Sequence, residues 1–447
     1  MVLVLGAWLY AGPLNPPSGP IASTGKTLTE VEPRLAINSV NTPGDANSVY
    51  RISQPGSYYL TSDVIGVNGK HGIEIAADGV TIDLMGLAVR GSAQTADGIT
   101  TDGLHGNIVI KNGFVGGWGN QGINLIPTGV GEGHHVEDVI VSGTVASGIR
   151  VGSASIVRSC QVINVLNATS GALVVGDESI VEKCVVRNNS GGSLTVGNGC
   201  SVESCVVSFN SSGVFAQSSC TFRNCIARSN SGRGFFAQAN SIFVDCSAIL
   251  NQFGGFEIGD NSVLDSCVAS DNVRDGFSGG GACTFTSCTA SGSTFSGFVA
   301  ALGTRVDSCI AENNGSYGIN VGGSSVSRCT VRSNSLDGIR ATSNSVIEFN
   351  NCSANGTGST SGAGVRITGT DCRVTNNTAT NNDIGISVEA SVNLITGNAC
   401  RGNPLNYQIV ANNRVGIIVT PLLSGAISGN GPGAGIGSTD PWANFAY

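Results

Sequence analysis

The chain contains little charge. Asp, Glu, Lys and Arg make up 12% of its 447 residues, about half the share found in ordinary globular domains. The 22 basic residues are scattered, so the sequence lacks the basic stripe of nucleic-acid-binding proteins, and solubility accounts for the net charge of −8. Low charge would also fit a disordered chain, but apolar residues make up 40% of this one and recur in register.

Long apolar runs are also missing. Residues 1–11 are apolar but too short to span a bilayer, and no later run is longer, so we expect no transmembrane segment. This segment is similar to the apolar core of a signal peptide without its basic start, which predicts export; a buried first strand is the alternative. Residues 12–37 read as an extended segment followed by an N-terminal cap. Thr29 and Glu32 have capping-box spacing there and predict a short capping helix.

Cysteine is abundant, but no Cys-x-x-Cys pair occurs, so no metal site is expected. Ten of the 15 cysteines recur at steps of about 21 residues. In stacked parallel coils, residues at one register point the same way, towards a dry core. We therefore expect buried free thiols rather than disulfides. The ten positions are Cys160, Cys184, Cys205, Cys225, Cys246, Cys267, Cys288, Cys309, Cys329 and Cys352.

A second repeat is a glycine followed by an inward aliphatic or phenylalanine, as at Gly72-Ile73 and Gly255-Phe256. Asparagine recurs five residues after the cysteine, where it suits a turn and can stack with its neighbours. A repeat of about 21 residues fits three short strands and three turns. The pattern predicts an all-β fold, a right-handed parallel β-helix of about 16 coils over residues 38–415, with 416–447 as a C-terminal tail that packs Trp442, Phe445 and Tyr447 on the last coils.

The repeat phrases "CSVESCVVSFN" and "CTFRNCIARSN" resemble those of right-handed parallel β-helix repeat proteins, the pectate-lyase-like superfamily. The segment "PGDANSVYRISQPGSYYL" and the closing "DPWANFAY" look like a group of exported bacterial β-helix proteins. The resemblance covers nearly the whole chain and implies the fold. It does not select an activity, because the superfamily includes lyases, hydrolases, epimerases, tailspikes and adhesins.

The motifs that this resemblance would require for known chemistry are missing. Neither the Asn-Thr-Asp, Asp-Asp and Gly-His-Gly set of polygalacturonase-like enzymes nor the Asp-Pro-His of alginate epimerases occurs. The remaining catalytic candidates are His71, Glu74, Asp97 and Arg150, with Asn124 as a ligand-binding candidate in the same outward column. The competing interpretation is turn chemistry, because the Asp-Gly step of Asp97 recurs at two later positions, Asp275 and Asp337.

Phe215 and Phe236 form a second candidate site. Their spacing places them outward on adjacent coils, where exposed aromatic rings can stack on sugars or dock a partner. The alternative is that a loop or the tail covers them.

Two functions remain open at this level. The first is an exported, non-catalytic surface or matrix protein that binds a glycan or a surface partner. The second is a polysaccharide lyase, glycoside hydrolase or epimerase acting on a uronate-containing glycan. Neither requires a cofactor.

Overall fold

The computed structural model describes residues 32–126, 131–358, 361–420 and 440–447. Within these ranges the chain contains strands and turns and no helix. It forms a right-handed parallel β-helix of about 18 turns, close to the 16 expected. The signal-like segment 1–11 and most of the expected capping helix lie outside the described residues.

Sheet 1 contains one strand from each coil, and most of these strands carry the glycine step of the repeat at or just before their start. Its 17 strands are parallel neighbours in register. They are Ser48–Ile52, His71–Ile75, Ile99–Thr101, Ile123–Asn124, Ile149–Val151, Leu173–Val175, Leu194–Val196, Val214–Ala216, Phe235–Ala237, Phe256–Ile258, Phe277–Gly279, Phe298–Ala300, Ile319–Val321, Ile339–Ala341, Ala363–Ile367, Ile384–Val388 and Leu405–Ile409.

Sheet 2 contains two strand rows that meet at a corner. Two long strands, Val109–Gly116 and His135–Ser142, run through the corner and join the rows. With these two, the first row is Leu35–Ile37, Gly56–Leu60, Val80–Asp83, Ile156–Arg158, Ile180–Glu182, Ser201–Glu203, Thr221–Arg223, Ile242–Val244, Val263–Asp265, Thr284–Thr286, Arg305–Asp307, Ser325–Ser327, Val346–Glu348, Arg373–Thr375, Leu394–Thr396 and Arg414–Val415. The second row is Val64–Ile65, Ala88–Arg90, Gln161–Ile163, Val185–Arg187, Val206–Ser208, Ile226–Arg228, Ser247–Ile249, Val268–Ser270, Thr289–Ser291, Ile310–Glu312, Thr330–Arg332, Asn351–Ser353, Thr378–Thr380, Ala399–Arg401, Ile418–Val419 and Asn444–Ala446.

Most corners next to the sheet 2 strands are made by a residue in the left-handed region followed by an inward cysteine, serine or asparagine. In one coil, Asp245 (φ 54°) precedes Cys246 and Leu250 (φ 56°) precedes Asn251. The sharp bend interrupts the strand-to-strand hydrogen bonding, and a buried backbone N–H needs a partner. The amide of Asn251 supplies it, because its Oδ1 accepts from the backbone N–H of Asn230 at 3.2 Å.

The asparagines form a ladder through the core. Asn251 Nδ2 donates to the carbonyl of Ala227 at 3.1 Å and to Oδ1 of Asn272 at 3.0 Å, so each amide links three successive coils. The same position is held by Asn189, Asn210, Asn230, Asn251, Asn272, Ser293, Asn314, Asn334, Asn355, Asn382 and Asn403.

The ladder explains the glycine of the sequence repeat. A Cβ added at Gly255 would lie 2.6 Å from the carbonyl oxygen of Gly276 and 2.9 Å from Asn272 Nδ2. A larger residue would therefore push the ladder and the strand apart.

All 15 cysteines are free and buried, as expected. Nine of the ten predicted ladder members share one register, and Cys352 does not. Cys352 pairs with Val331, two residues further along the coil, while Asn350 caps the backbone N–H of Cys329 at 2.9 Å. The 21-residue step from Cys329 therefore leads to Asn350, and Cys352 lies two residues further on, in the next inward row of the coil. Asn350, Asn377 and Asn398 continue the cysteine row as a second asparagine ladder.

The core is filled by stacked phenylalanines in the middle coils. Phe235 stacks on Phe256 with centroids 4.9 Å apart, and Phe256 stacks on Phe277 at 5.0 Å. Phe243 meets Phe235 edge to face at 5.7 Å from the first row of sheet 2. Both arrangements are favourable for aromatic pairs, so the interior of these coils is rigid.

Near the described N-terminal end, Pro43 and Tyr50 form an isolated antiparallel bridge. At the other end, Asn444–Ala446 inserts between Ala399–Arg401 and Ile418–Val419 as one further rung. Trp442 and Tyr447 are 63% and 56% exposed, and the Arg401 guanidinium lies 5.7 Å over the Tyr447 ring.

Candidate functional site

The outward side chains of sheet 1 form one straight column, here called the outward row. Paired residues follow each other at the spacing of neighbouring strands, about 4.8 Å. Because the pairing is in register throughout, the row is a continuous face along the solenoid axis. Its members are Arg51, Glu74, Thr100, Asn124, Arg150, Val174, Thr195, Phe215, Phe236, Glu257, Ser278, Val299, Asn320, Arg340, Arg366, Ser387 and Gln408.

An ion-pair network occupies the N-terminal end of this face, with Arg51 at its centre. The Arg51 guanidinium bonds Glu74 and Asp102. His105 then bridges Asp102 and Asp78, at 2.8 and 3.2 Å. Burial raises the pKa of Asp102, but its hydrogen bonds to His105 and Arg51 outweigh burial and hold that pKa below its ordinary value. The Glu74 carboxylate is likewise engaged, because it forms an ion pair with Arg51.

Asp97 is a corner residue. Its carboxylate accepts from the backbone N–H of Gln121 at 3.0 Å and from the side-chain amides of Asn120 and Asn124 at 2.7 and 3.1 Å. With three donors bound, Asp97 has little capacity left to act as a general base.

The same corner occurs in two later coils. Asp275 accepts from the backbone N–H of Ser296 at 2.9 Å, and Asp337 accepts from that of Ala363 at 2.8 Å. The recurrence supports the turn-chemistry interpretation of the Asp-Gly step.

The four catalytic candidates do not converge. His71 Nδ1 accepts the backbone N–H of Asp97 at 3.1 Å and lies 3.9 Å from its carboxylate, whereas Glu74 is turned to Arg51. Arg150 lies two coils beyond Thr100, next to Asn124. A shared reacting position within reach of all four side chains is therefore absent from this part of the described chain.

Three buried polar atoms around Asn124 have no hydrogen-bond partner. They are Asn124 Oδ1, Gln121 Oε1 and Arg150 Nε. Asn124 is 3% exposed, and its Nδ2 is held by Asp97, so the orientation of its amide is fixed. Unpartnered buried polar atoms are uncommon, so this part of the face is polar and has hydrogen-bonding groups that are not used within the protein.

His134 belongs to the core, not to the face. It is 1% exposed, and neither ring nitrogen has a partner. Burial lowers the pKa of His134 to about 4, so the ring is neutral near pH 7. His135 lies on sheet 2, 3.2 Å from Glu137.

Phe215 and Phe236 are neighbours on adjacent coils, with ring centroids 5.3 Å apart and planes 15° apart. The rings therefore stack on each other along the solenoid axis. The Arg233 guanidinium lies 5.2 Å over the Phe236 ring and pairs with Glu257 of the following coil, so it approaches from the side away from Phe215. Phe215 is 41% exposed, and its other ring face is turned towards the short side chain of Thr195.

The sequence interpretation missed a polar cleft further along the same row, here called the C-terminal cleft and defined by Tyr317, Arg340, Arg366 and Glu389. Its volume is about 290 Å³. Arg340 donates to the Tyr317 hydroxyl at 2.6 Å, and Arg366 bonds Glu389. Extending the outward-row register beyond Glu257 would have identified Arg340 and Arg366.

Among the described residues, no group of three or more His, Cys, Asp and Glu side chains could hold a metal ion. No described helix is long and apolar enough to cross a membrane.

The comparisons agree with the fold. A family model described as "Right handed beta helix region" matches residues 121–265, so the resemblance to right-handed β-helix repeat proteins is confirmed. The comparison with curated proteins gives no match.

Among solved structures, the mannuronan C-5 epimerase AlgE4 A-module of Azotobacter vinelandii is 13% identical. It covers 81% of this chain and 91% of its own, with a TM-score of 0.37. A tailspike protein of E. coli bacteriophage HK620, in complex with a hexasaccharide, is 12% identical. The match covers 70% of this chain and 73% of the tailspike chain, with a TM-score of 0.36. At such identities and TM-scores these matches carry no argument about function.

Proposed function

We propose that the chain is an exported, non-catalytic glycan-binding β-helix protein, and that the sugar lies on the outward row of sheet 1. The observation that carries this proposal is the exposed ring of Phe215, held against Phe236 at 5.3 Å. Export is inferred from the apolar segment 1–11.

The geometry around Phe215 suits a sugar ring. Val174 and Thr195, the two preceding members of the row, have short side chains and form a low floor beside the taller Phe215. The Thr195 hydroxyl donates to the carbonyl of Ser170 at 3.0 Å, so the segment around Ser170 borders the floor on one side. A pyranose on this floor can place its C–H face against the free face of the phenylalanine. Arg150 bounds the floor at its other end, where its donors can reach sugar hydroxyls or an acidic substituent.

The site is also preorganised. Phe236 lies behind Phe215, and the Arg233–Glu257 ion pair lies behind Phe236. A ring fixed in this way loses little conformational entropy when a ligand binds, so more of the contact energy appears as affinity.

The test is a binding screen of the full chain against neutral glucans, alginate and polygalacturonate. Replacing Phe215 with alanine should weaken binding about tenfold or more. The control is Phe209→Ala, because Phe209 is 54% exposed and also lies under an arginine, Arg228, but belongs to the sheet 2 side of the coil. Equal loss in both variants would contradict the proposed site.

The same samples distinguish binding from catalysis. A lyase releases unsaturated sugars, and a hydrolase releases reducing ends; an epimerase changes the uronate composition of the polymer. Binding without any of these products supports the proposal. Product formation that depends on Asp97 or Glu74 would establish the enzyme alternative instead.

A further inference from the structure

The C-terminal cleft offers sugar-binding chemistry that is distinct from the Phe215 site. The Tyr317 hydroxyl accepts a hydrogen bond from Arg340 at 2.6 Å and still has its own proton to donate. The Arg340 guanidinium also lies 5.1 Å over the Tyr317 ring, which fixes its plane. A hydroxyl-rich ligand can both donate to and accept from such a pair.

Arg366 forms a fixed wall of this cleft. Its side chain is 14% exposed and bonds Asp337 at 2.8 Å, as well as Glu389. Burial lowers the pKa of Arg366, but the hydrogen bond to Asp337 and the charge of that carboxylate outweigh burial and raise it. Arg366 therefore holds the shape of the cleft, whereas Arg340 and Tyr317 face a ligand.

The cleft and the Phe215 site lie on one line. Six register steps along the outward row lead from Phe215 to Arg340, a distance of about 29 Å at the spacing of neighbouring strands. The row members between Phe215 and Arg340 are first Phe236 and Glu257. They are followed by Ser278, Val299 and Asn320, which are all half-buried. A polymer that reaches both sites must therefore pass over the stacked Phe215 and Phe236 rings and the Arg233–Glu257 ion pair, and beyond these the row carries no large side chain before Arg340.

We propose that the C-terminal cleft is a second sugar-binding site, and that one polysaccharide chain occupies it and the Phe215 site together. The proposal rests on the proposed function. Once one site holds the polymer, binding at the other becomes intramolecular, so affinity rises through effective concentration. The preferred ligand is therefore a polymer longer than about 29 Å rather than a short oligosaccharide.

The experiment measures affinity against ligand length. Fluorescein-labelled oligomers of β-1,4-glucan and of polygalacturonate, fractionated by size, are titrated with the full chain. Affinity should rise at least tenfold where the oligomer becomes long enough to span both sites. Arg340→Gln and Phe215→Ala should each remove that rise, because either change leaves only one working site. Phe215→Ala should in addition weaken the binding of short oligomers.

The control is Arg332→Gln, because Arg332 lies in the same coil but on sheet 2, paired with Glu312. An increase with length that survives Arg340→Gln, or the absence of any increase, would overturn the second site while leaving binding at Phe215 intact. If Phe215→Ala has no effect and Arg340→Gln does, the Phe215 site fails and so does joint occupation. Failure of every oligomer to bind the unaltered chain would overturn both proposals.

Discussion

Asn272 meets Ser293 in the asparagine ladder, and the run of amide hydrogen bonds stops at this contact. Asn272 Nδ2 still donates to the carbonyl of Ala248 at 2.9 Å. The Ser293 hydroxyl is buried and has no partner, whereas the backbone N–H of Ser293 donates to Asn314 Oδ1 at 3.1 Å. The ladder thus resumes one coil later, and the serine leaves a gap in the run of side-chain amide hydrogen bonds.

Ser293→Asn should stabilise the fold by about 1–2 kcal/mol, because the new amide can accept from Asn272 and donate to the preceding coil. The measurement is the midpoint of denaturant unfolding. Asn251→Ser is the matched control: it creates the same gap elsewhere in the ladder and should lower stability by a similar amount. A destabilising Ser293→Asn would show that the gap cannot hold an amide.

The buried His134 should make the fold sensitive to acid. Its pKa is about 4 in the folded chain, against an ordinary value of 6.5. Between about pH 6.5 and 4 the His134 side chain is protonated in the unfolded chain but not in the folded chain. The contribution of His134 to the free energy of unfolding therefore falls as the pH drops through this range and becomes constant below it. The full loss is roughly 3 kcal/mol.

Unfolding midpoints measured across this pH range should show the loss in the unaltered chain and not in His134→Ser. Serine suits the position, because Ser155 holds it in the next coil and its hydroxyl accepts the backbone N–H of His134 at 3.2 Å. Equal pH dependence in both proteins would contradict the assignment to His134.

The cysteines should be inert in the folded protein. All 15 are buried, and burial raises the pKa of Cys400 to about 12. Because the thiolate is the reactive form, a water-soluble thiol reagent should label essentially no cysteine until the chain is unfolded, and then all of them. Rapid labelling of the native protein would show that some coils open locally.

The corrected register of Cys352 predicts a difference between two cysteine replacements. Cys352 lies in a row where alanine is common, including Ala311 and Ala379, so Cys352→Ala should cost less than about 1 kcal/mol. Cys329→Ala should cost more, because the Cys329 thiol donates to carbonyls of Val306 and Ser327, at 3.6 and 3.3 Å. Thermal midpoints of the two variants compare the positions directly, and equal costs would argue against two separate rows.

Much of the architecture could be predicted because the repeat is local and regular. The steps between Cys160 and Cys329 set the coil length, and the alternation around Phe215 and Phe236 places both rings outward on neighbouring strands. The step from Cys329 to Cys352 misled that prediction, because a two-residue change of row looks the same as a slightly longer coil. Only the pairing of Cys352 with Val331 distinguishes the two.

The sequence by itself determined the period, the inward rows and therefore the parallel β-helix, since strands of a solenoid pair with their neighbours along the chain. Tertiary structure decided how the side chains of the outward row are used. Two carboxylates of adjacent coils bind different partners: Glu74 binds Arg51, whereas Asp97 binds three donors of the following coil. Rotamers and cross-coil contacts set these partners, and a linear pattern does not encode them. Packing likewise leaves Phe215 41% exposed and Arg340 half-buried on the same row.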